Sequence, residues 1–516
     1  MRRLLLGTVA AALAVAVATP RTAEAQAATP KPGGRLVIAQ DEGPDRIEPH
    51  GTIMSFQHRI IVNGPYEALL GLDKDFNIIP SLATAWKEES PTSYTFEIRE
   101  GVKFHDGTAM TVDDVLFTFQ RIMDPNRPSD ARTKMRMIQS VERVDDRTVR
   151  IRLKGSSAPF LRYMASPEVT GIVSRAFTQA ANNDLTRTAN GTGPFRITGF
   201  TPGVNVSMQK FADYWDKGKP YLDAIELRII PDDSTRIAAL RTGEIDMTFF
   251  RPDKRPLLNA LRNVTLSQPG ANSTQMLVFN CEKGPTMDAR VRRAVAMSVD
   301  RPTLMNTVMP GGLARPGMAV APADTKYGYQ GDGSDLPFWK PDVDGAKKLL
   351  AEAGYPNGIT LSMQFIGTPA FAIDGRISEV IKEQVARAGI SLTLTPIEFS
   401  ASGRNATEGN FEMMSNGRGI DADPEGAFFD ALGTAVRTKC KDPKFDAMVD
   451  AANGELDVAK RKQMLVDAQK YILENAYFHY LFSMPLRIEV WKNDVQGYEP
   501  MPHLRRTSLR QVWLNR

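Results

Sequence analysis

Between Thr360 and Phe399 the chain runs TLSMQFI, then DGRISEVIKEQVARAG, then ISLTLTPIEF. The outer segments read as strands. The middle one reads as a helix, with Ile377, Val380, Ile381, Val385 and Ala388 on one face. Strand, helix and strand in that order build a parallel pair with the helix crossing over one side, so this half of the chain is committed to an α/β sheet covered by helices. Two further amphipathic helices are expected around it. DVDGAKKLLAEAGYPNG carries Ala346, Leu349, Leu350 and Ala353 on one face, with Gly354 as its stop and Pro356 beyond; AKRKQMLVDAQKYILENA is the other.

The first half has a different texture. RLVIAQ is the first expected strand, and SYTFEIRE and RTVRIRL alternate with period two, Val149, Ile151 and Leu153 interleaved with arginines. Such alternation predicts sheet with one wet face. In GPFRITGFTPGVNVSMQKF, Pro202 and Gly203 turn the chain between two strands. A chain of 516 residues, 42% hydrophobic, exceeds what one core serves, so two or three domains are expected.

The amino end reads as an export signal over residues 1–25. Arg2 and Arg3 form the basic start, Leu4 to Ala18 an apolar run, and Ala23-Glu24-Ala25 a small-residue cleavage site. The run is shorter than the about 20 apolar residues of a membrane span. The Arg-Arg pair leaves both the general and the twin-arginine export routes open. Removing the signal takes away three basic residues and one acid, bringing the formal charge from +4 to +2, and so near a balance points to neither nucleic acid nor a membrane surface as partner. The two cysteines, Cys281 and Cys440, form an even pair in an oxidising compartment, which favours a disulfide over two free thiols.

The tightest grouping of histidine and carboxylates is GVKFHDGTAMTVDDVLFTFQRIMDP, with His105, Asp106, Asp113 and Asp114. Asp106-Gly107 suits a tight turn, Thr111 an N-cap, and Asp113 and Asp114 the first turn of a helix whose apolar face is Val112, Val115, Leu116, Phe119, Ile122 and Met123. Each polar residue thus has a structural task, and a lone histidine beside a turn aspartate does not supply a convergent metal site. The five histidines are scattered, and Gly-x-Ser-x-Gly and His-Glu-x-x-His are both missing, so an exported hydrolase is the weaker class. No catalytic residue, metal or cofactor is assigned.

The same stretch resembles the signature of the family 5 extracellular solute-binding proteins, the peptide-, nickel- and glycoside-binding components of ABC importers. GTGPFRITGFTPG, YWDKGKPYLDAIELRIIPDDSTRIAALRTGEIDM, FNCEKGPTMDARVRRAVAMSVDR and KKLLAEAGYPNG follow in that family's order. The resemblance implies a two-lobed α/β periplasmic binding protein, type II-like, with an extra subdomain on the first lobe and two hinge strands. Lobe 1 would take 34–267 and 495–516, with the subdomain at about 66–190, and lobe 2 would take 268–494. It further implies a monomer in the periplasm that holds a peptide or peptide-like solute between the lobes and hands it to an inner-membrane ABC permease pair. A non-peptide solute in the same fold (a glycoside, opine, nickel complex or haem) is the alternative, the metal and haem versions drawing on His50 and His58.

Family pockets are lined by segments that correspond here to HGTIMSFQ, MQFIGTPAF and SNGRGIDADPEGAFF, which nominates Met54, Ser55, Phe56, Phe365, Asn416, Arg418 and Asp421 as ligand contacts. Met54 and Phe56 serve equally as core residues, and Arg418 and Asp421 equally as solvated charges. Buried between lobes, those two charges would need a counter-charge that a ligand can supply. Two positions depart from the family's dipeptide binders. Ile420 stands where an aspartate holds the ligand's amino group, and Thr368 where an arginine holds its carboxylate, leaving Arg418 as an alternative anion anchor.

Overall fold

The computed structural model describes residues 29–44, 46–50, 62–73, 77–127, 129–267, 270, 273–310, 312–316, 331–368, 371–419, 439–500 and 509–516. The expected signal peptide lies outside them. Two mixed sheets carry the chain. The first has seven strands in the order Val264–Leu266, Ile488–Lys492, Met247–Phe250, Arg35–Gln40, Ala224–Ile229, Asn205–Lys210 and Phe195–Thr201. RLVIAQ sits inside it, parallel to both neighbours. Leu36 and Ile38 enter the core on one face while Ala39 enters the core on the other, which is why this strand reads as an apolar run instead of an alternation. The expected hairpin is present, with Thr201 paired to Asn205 and Gly203 at φ +69° in the turn, a backbone shape that glycine adopts without strain.

The second sheet has five strands in the order Ile390–Ile397, Ile359–Ile366, Met413–Gly419, Ser273–Phe279 and Phe478–Met484. Ile359–Ile366 and Ile390–Ile397 run parallel with Ile359 opposite Ile390, and the helix Ala372–Ala386 between them buries Ile373, Ile377, Ile381 and Val385 on the sheet. The expected strand, helix, strand unit is therefore formed. Helices Val343–Glu352 and Val458–Glu474 match the two other apolar periodicities.

A four-stranded antiparallel sheet, Ala83–Ser90, Ser93–Ile98, Thr148–Leu153 and Ile138–Arg143, carries its own core around Phe96, Phe119, Ile151 and Phe160. Helix Val112–Met123 covers it. Its start is a capped turn: the Thr111 N–H donates to the Asp114 carboxylate at 2.9 Å, and Asp113 pairs with Arg143 at 2.5 Å. Asp106 accepts from the Thr108 N–H at 2.9 Å and from Asn190 at 2.8 Å, while His105 Nε2 donates to the Gly193 carbonyl at 3.0 Å. The grouping of histidine and acids is structural, tying the subdomain's turn to the segment that re-enters the first sheet.

The chain leaves the first sheet after Leu266 and returns to it at Ile488, not at 495. IEVWK pairs with both Met247–Phe250 and Val264–Leu266, so the return precedes the expected boundary. The two crossings are bonded to each other, Ser267 N–H to the Glu489 carbonyl at 2.8 Å and Glu489 N–H to Ser267 Oγ at 2.9 Å. The chain end completes the first lobe. Trp513 and Leu514 pair with Gln496 and Val495, and Arg516 bonds Asp246 at 2.6 Å and the Arg35 carbonyl at 3.4 Å.

Cys281 and Cys440 are bonded, with Cα atoms 4.9 Å apart, fastening the end of strand Ser273–Phe279 to the residues ahead of helix Pro443–Gly454. The 159-residue separation makes this a long closed loop, worth roughly 4–5 kcal/mol in the chain-entropy account. Urea unfolding of the Cys281→Ser/Cys440→Ser variant should show a loss of that order. An unchanged midpoint would mean that the bond constrains nothing in the unfolded chain.

Candidate functional site

In α/β sheets the carboxyl ends of parallel strands are where loops diverge and leave room for a ligand. Two such edges meet here. From the first sheet, strand Arg35–Gln40 delivers Gln40, Asp41 and Glu42, and strand Met247–Phe250 delivers Arg251 and Asp253. From the second sheet, strand Ile359–Ile366 leads to Thr368 and to Phe371, Asp374 and Arg376 at the start of helix Ala372–Ala386. The edges touch: the Arg251 guanidinium lies 4.2 Å from the centre of the Phe371 ring, and Arg376 pairs with Asp253 at 3.2 Å. Phe371 is itself stacked on Phe399, with ring centres 5.1 Å apart. A second long-range contact lies beside the four-stranded sheet, where Ser156 Oγ donates to the Gly454 carbonyl at 2.7 Å and the Ala158 N–H to the Asn453 carbonyl at 2.8 Å.

The charges in this crevice differ in how they are satisfied. Asp41 takes both its oxygens to Arg487 Nη1 at 2.9 Å, a buried pair placed where the chain returns to the first sheet. Burial alone would push the Asp41 carboxyl up, but the Arg487 guanidinium overrides it and holds the group at about 2. Glu42 is raised by burial and by its neighbour Asp41. Arg251 is drawn down to about 10 by burial and by the like charge of Arg487. Asp374 is 1% exposed, neither of its oxygens meets a donor among the described residues, and burial lifts it to about 7 against only a partial offset from Arg251. Gln40 and Thr368 also bring buried polar atoms without partners to these strand ends. Unsatisfied polar groups are costly in a folded interior, so these strand ends carry a polar demand that the described residues do not meet.

Among the residues nominated from sequence, Phe365 is half-buried and its ring rests near the helix start, where a Cβ on Gly375 would stand 3.4 Å from Phe365 Cε2. Asn416 donates to Ser402 Oγ at 3.4 Å. The register places these two on opposite faces of the second sheet. Met363, two before Phe365, shares one core with Met413, whereas Met414, two before Asn416, belongs to the other. The backbone of Arg418 pairs with Thr274 at the end of its strand. Met54, Ser55, Phe56 and Asp421 lie outside the described residues. Sequence reading missed Asp41, Arg251, Asp374 and Arg487. The available signal was a charged residue directly after an apolar strand, as in VIAQDE and TFFRPD.

His50 is fully engaged. Its Nε2 donates to the Gly171 carbonyl at 2.7 Å, and its Nδ1 accepts from Arg121 Nη1 at 2.8 Å while Arg121 also grips Glu48 at 2.8 and 2.7 Å. Burial and the Arg121 charge hold the imidazole neutral, near 3. The ring has no nitrogen left for a metal or a haem iron, and His58 lies outside the described residues. Among the described residues no group of three or more His, Cys, Asp or Glu side chains is placed to hold a metal ion, and no helix is long and apolar enough to cross a membrane.

Over residues 77–439 the sequence matches the family of bacterial extracellular solute-binding proteins, family 5. The chain belongs to that family. It is 28% identical over 500 residues to di/tripeptide-binding protein 2 of Pseudomonas aeruginosa, covering 90% of this chain and 92% of that one. It is 29% identical over 433 residues to heme-binding protein A of Haemophilus influenzae, with 78% of each chain covered. Among solved structures, the Helicobacter pylori periplasmic binding protein DppA in complex with the peptide STSA superposes with a TM-score of 0.81 at 26% identity, covering 94% of this chain and 99% of that one. This family member is thus a substrate-binding protein of an ABC transporter, a binder and not an enzyme, and its α/β fold is that of the periplasmic binding proteins.

Removing Asp41 leaves Arg487 buried without its counter-charge, so Asp41→Ala should lower unfolding free energy by roughly 3–5 kcal/mol at neutral pH. Because the Asp41 carboxyl is depressed, its contribution is present above the ordinary 3.8 and lost as pH falls through about 2. Asp374 has the opposite sign. Its raised carboxyl favours the fold fully below 3.8, and that advantage is lost as pH rises through about 7. Asp374→Asn should therefore match wild type near pH 4 and exceed it above pH 7 by roughly 1–4 kcal/mol in the absence of solute. Thermal melts across that range decide it; parallel curves would show that the carboxylate has a donor in solution.

Proposed function

We propose that this chain is a periplasmic substrate-binding protein that captures a peptide or peptide-like small solute between its two lobes and delivers it to an inner-membrane permease pair. The observation that carries the reading is the meeting of two strand edges through Arg251 and Phe371 and through Arg376 and Asp253. Two sheets turn the carboxyl ends of their parallel strands toward one another, and each contributes a charged side chain with buried polar atoms that lack a hydrogen bond among the described residues, Arg251 Nε from one and the Asp374 carboxylate from the other. The two bonded crossings at Ser267 and Glu489 leave a pivot about which the lobes can swing. A solute that touches both lobes favours the closed arrangement by the free energy of those added contacts. The di/tripeptide-binding relative and the peptide complex of the DppA structure support a peptide as cargo.

A second reading, a non-peptide solute such as a glycoside, an opine, a nickel complex or haem, draws on a specific observation. Thr368, at the position where the family's dipeptide binders carry an arginine, has a buried hydroxyl without a partner and cannot supply a full positive charge to a carboxylate. The relative named for haem keeps that class in play. It would reach the iron without His50, whose ring is already committed.

Calorimetry with di- and tripeptides, run beside small-angle scattering with and without them, tests the proposal. The expected result is saturable one-to-one binding accompanied by a smaller radius of gyration. Binding of haem or an opine with no response to any peptide would transfer the function to the second reading.

A further inference from the structure

The buried carboxylates of this protein are almost all spoken for. Asp41 is held by Arg487, Glu48 by Arg121, Asp246 by Arg516 and the Val37 N–H, Glu489 by Tyr498, and Glu67 by Thr192, Tyr214 and Trp215. Asp374 has no such holder among the described residues. It sits in the first turn of helix Ala372–Ala386 on that helix's buried face, 1% exposed, and both carboxylate oxygens are without a hydrogen bond. The charged group whose field it feels is Arg251 of the other lobe, yet no ion pair joins the two. Arg251, on the first sheet, faces it. Its Nε is buried without an acceptor, it makes no ion pair among the described residues, and its guanidinium lies 4.2 Å from the centre of the Phe371 ring. Stacking fixes the plane of a guanidinium and leaves its edge for bidentate recognition of an anion.

Resting on the solute-binding reading above, we infer that Asp374 and Arg251 are the charged contacts of the captured solute: Asp374, on the second lobe, holds a cationic amine, and Arg251, on the first, holds an anion. The site thus selects a zwitterion gripped by one charge from each lobe. The arrangement explains why both groups are left unsatisfied within the protein. An ammonium supplies the donors that Asp374 lacks, and a carboxylate or comparable anion supplies the acceptors that Arg251 lacks. Because the two protein charges already sense one another, a zwitterion laid beside them with its own charges reversed satisfies both at once and adds little net charge to the crevice. It also couples binding to closure, since neither contact alone spans the gap.

The test uses full-length mature protein and a panel of L-amino acids, di- and tripeptides and an amino-acid–sugar conjugate, each also prepared N-acetylated and C-amidated, with affinities measured by calorimetry. In wild type the best zwitterion should lose at least about 30-fold in affinity on acetylation and a similar factor on amidation. Asp374→Asn should erase most of the acetylation effect while keeping the amidation effect, and Arg251→Gln should do the reverse. Arg418→Ala serves as the control arginine, and loss of the amidation effect there instead of in Arg251→Gln would overturn the assignment. So would wild-type protein that binds the blocked and free forms equally, a result that leaves the peptide reading intact, or protein that binds no zwitterion of the panel. A conjugate that binds with the expected discrimination while every peptide fails would support the inference and overturn the peptide reading. The acetylation and amidation comparison on wild type stands even if a variant does not fold.

Discussion

The pair between Asp41 and Arg487 is the interaction that joins the end of the first strand to the chain's return from the second sheet. Asp41 follows directly on the innermost strand of the first sheet, and Arg487 stands one residue ahead of the strand by which the chain returns there from the second. A buried carboxylate facing a buried guanidinium through both oxygens fixes the end of the first strand against the return crossing. Everything at the crevice takes its place from that junction. Arg251 emerges from the strand between the two, where burial and the like charge of Arg487 weigh against its charge and Asp41, Asp374 and Glu42 offset part of that.

A similar logic positions the chain after the first strand. Glu48, Arg121 and His50 form a buried knot that joins the segment behind Gln40 to the helix over the subdomain sheet, with the Ser129 hydroxyl on the His50 carbonyl. Glu67 gathers Thr192, Tyr214 and Trp215 on the other side of the subdomain's base. Ionic groups in such knots contribute little net stability compared with apolar packing, but a partner removed from one leaves a charge stranded, so they define a single arrangement of the loops.

Much of the fold could be read from the chain because local period and tertiary burial agree there. The helix face of Ile377, Ile381 and Val385 is the face that packs on the sheet, and the arginines of TVRIRL alternate with buried Val149 and Ile151 as a one-sided sheet requires. The return crossing could not be read this way. IEVWK has the alternation of a strand in either sheet, and only its pairing with Met247–Phe250 assigns it. The site was still less legible. Phe365 and Asn416 both lie near strand ends, yet which face each occupies depends on register across three strands. Asp374 looks in sequence like any acid near a helix start, where the dipole welcomes it; that it lies under the helix and not outside it is a fact of packing.

The last residues of the chain bear on how the molecule is made. Arg516 reaches back to Asp246 and to the carbonyl of Arg35, and Leu509, Val512 and Leu514 fill the core beside Leu36 and Ile38. A ribosome produces the strands around Leu36 and Asp246 early, but Arg516, which closes on Asp246, follows it by 270 residues. The sheet that is synthesised first therefore cannot complete its core until residues from far downstream have been made.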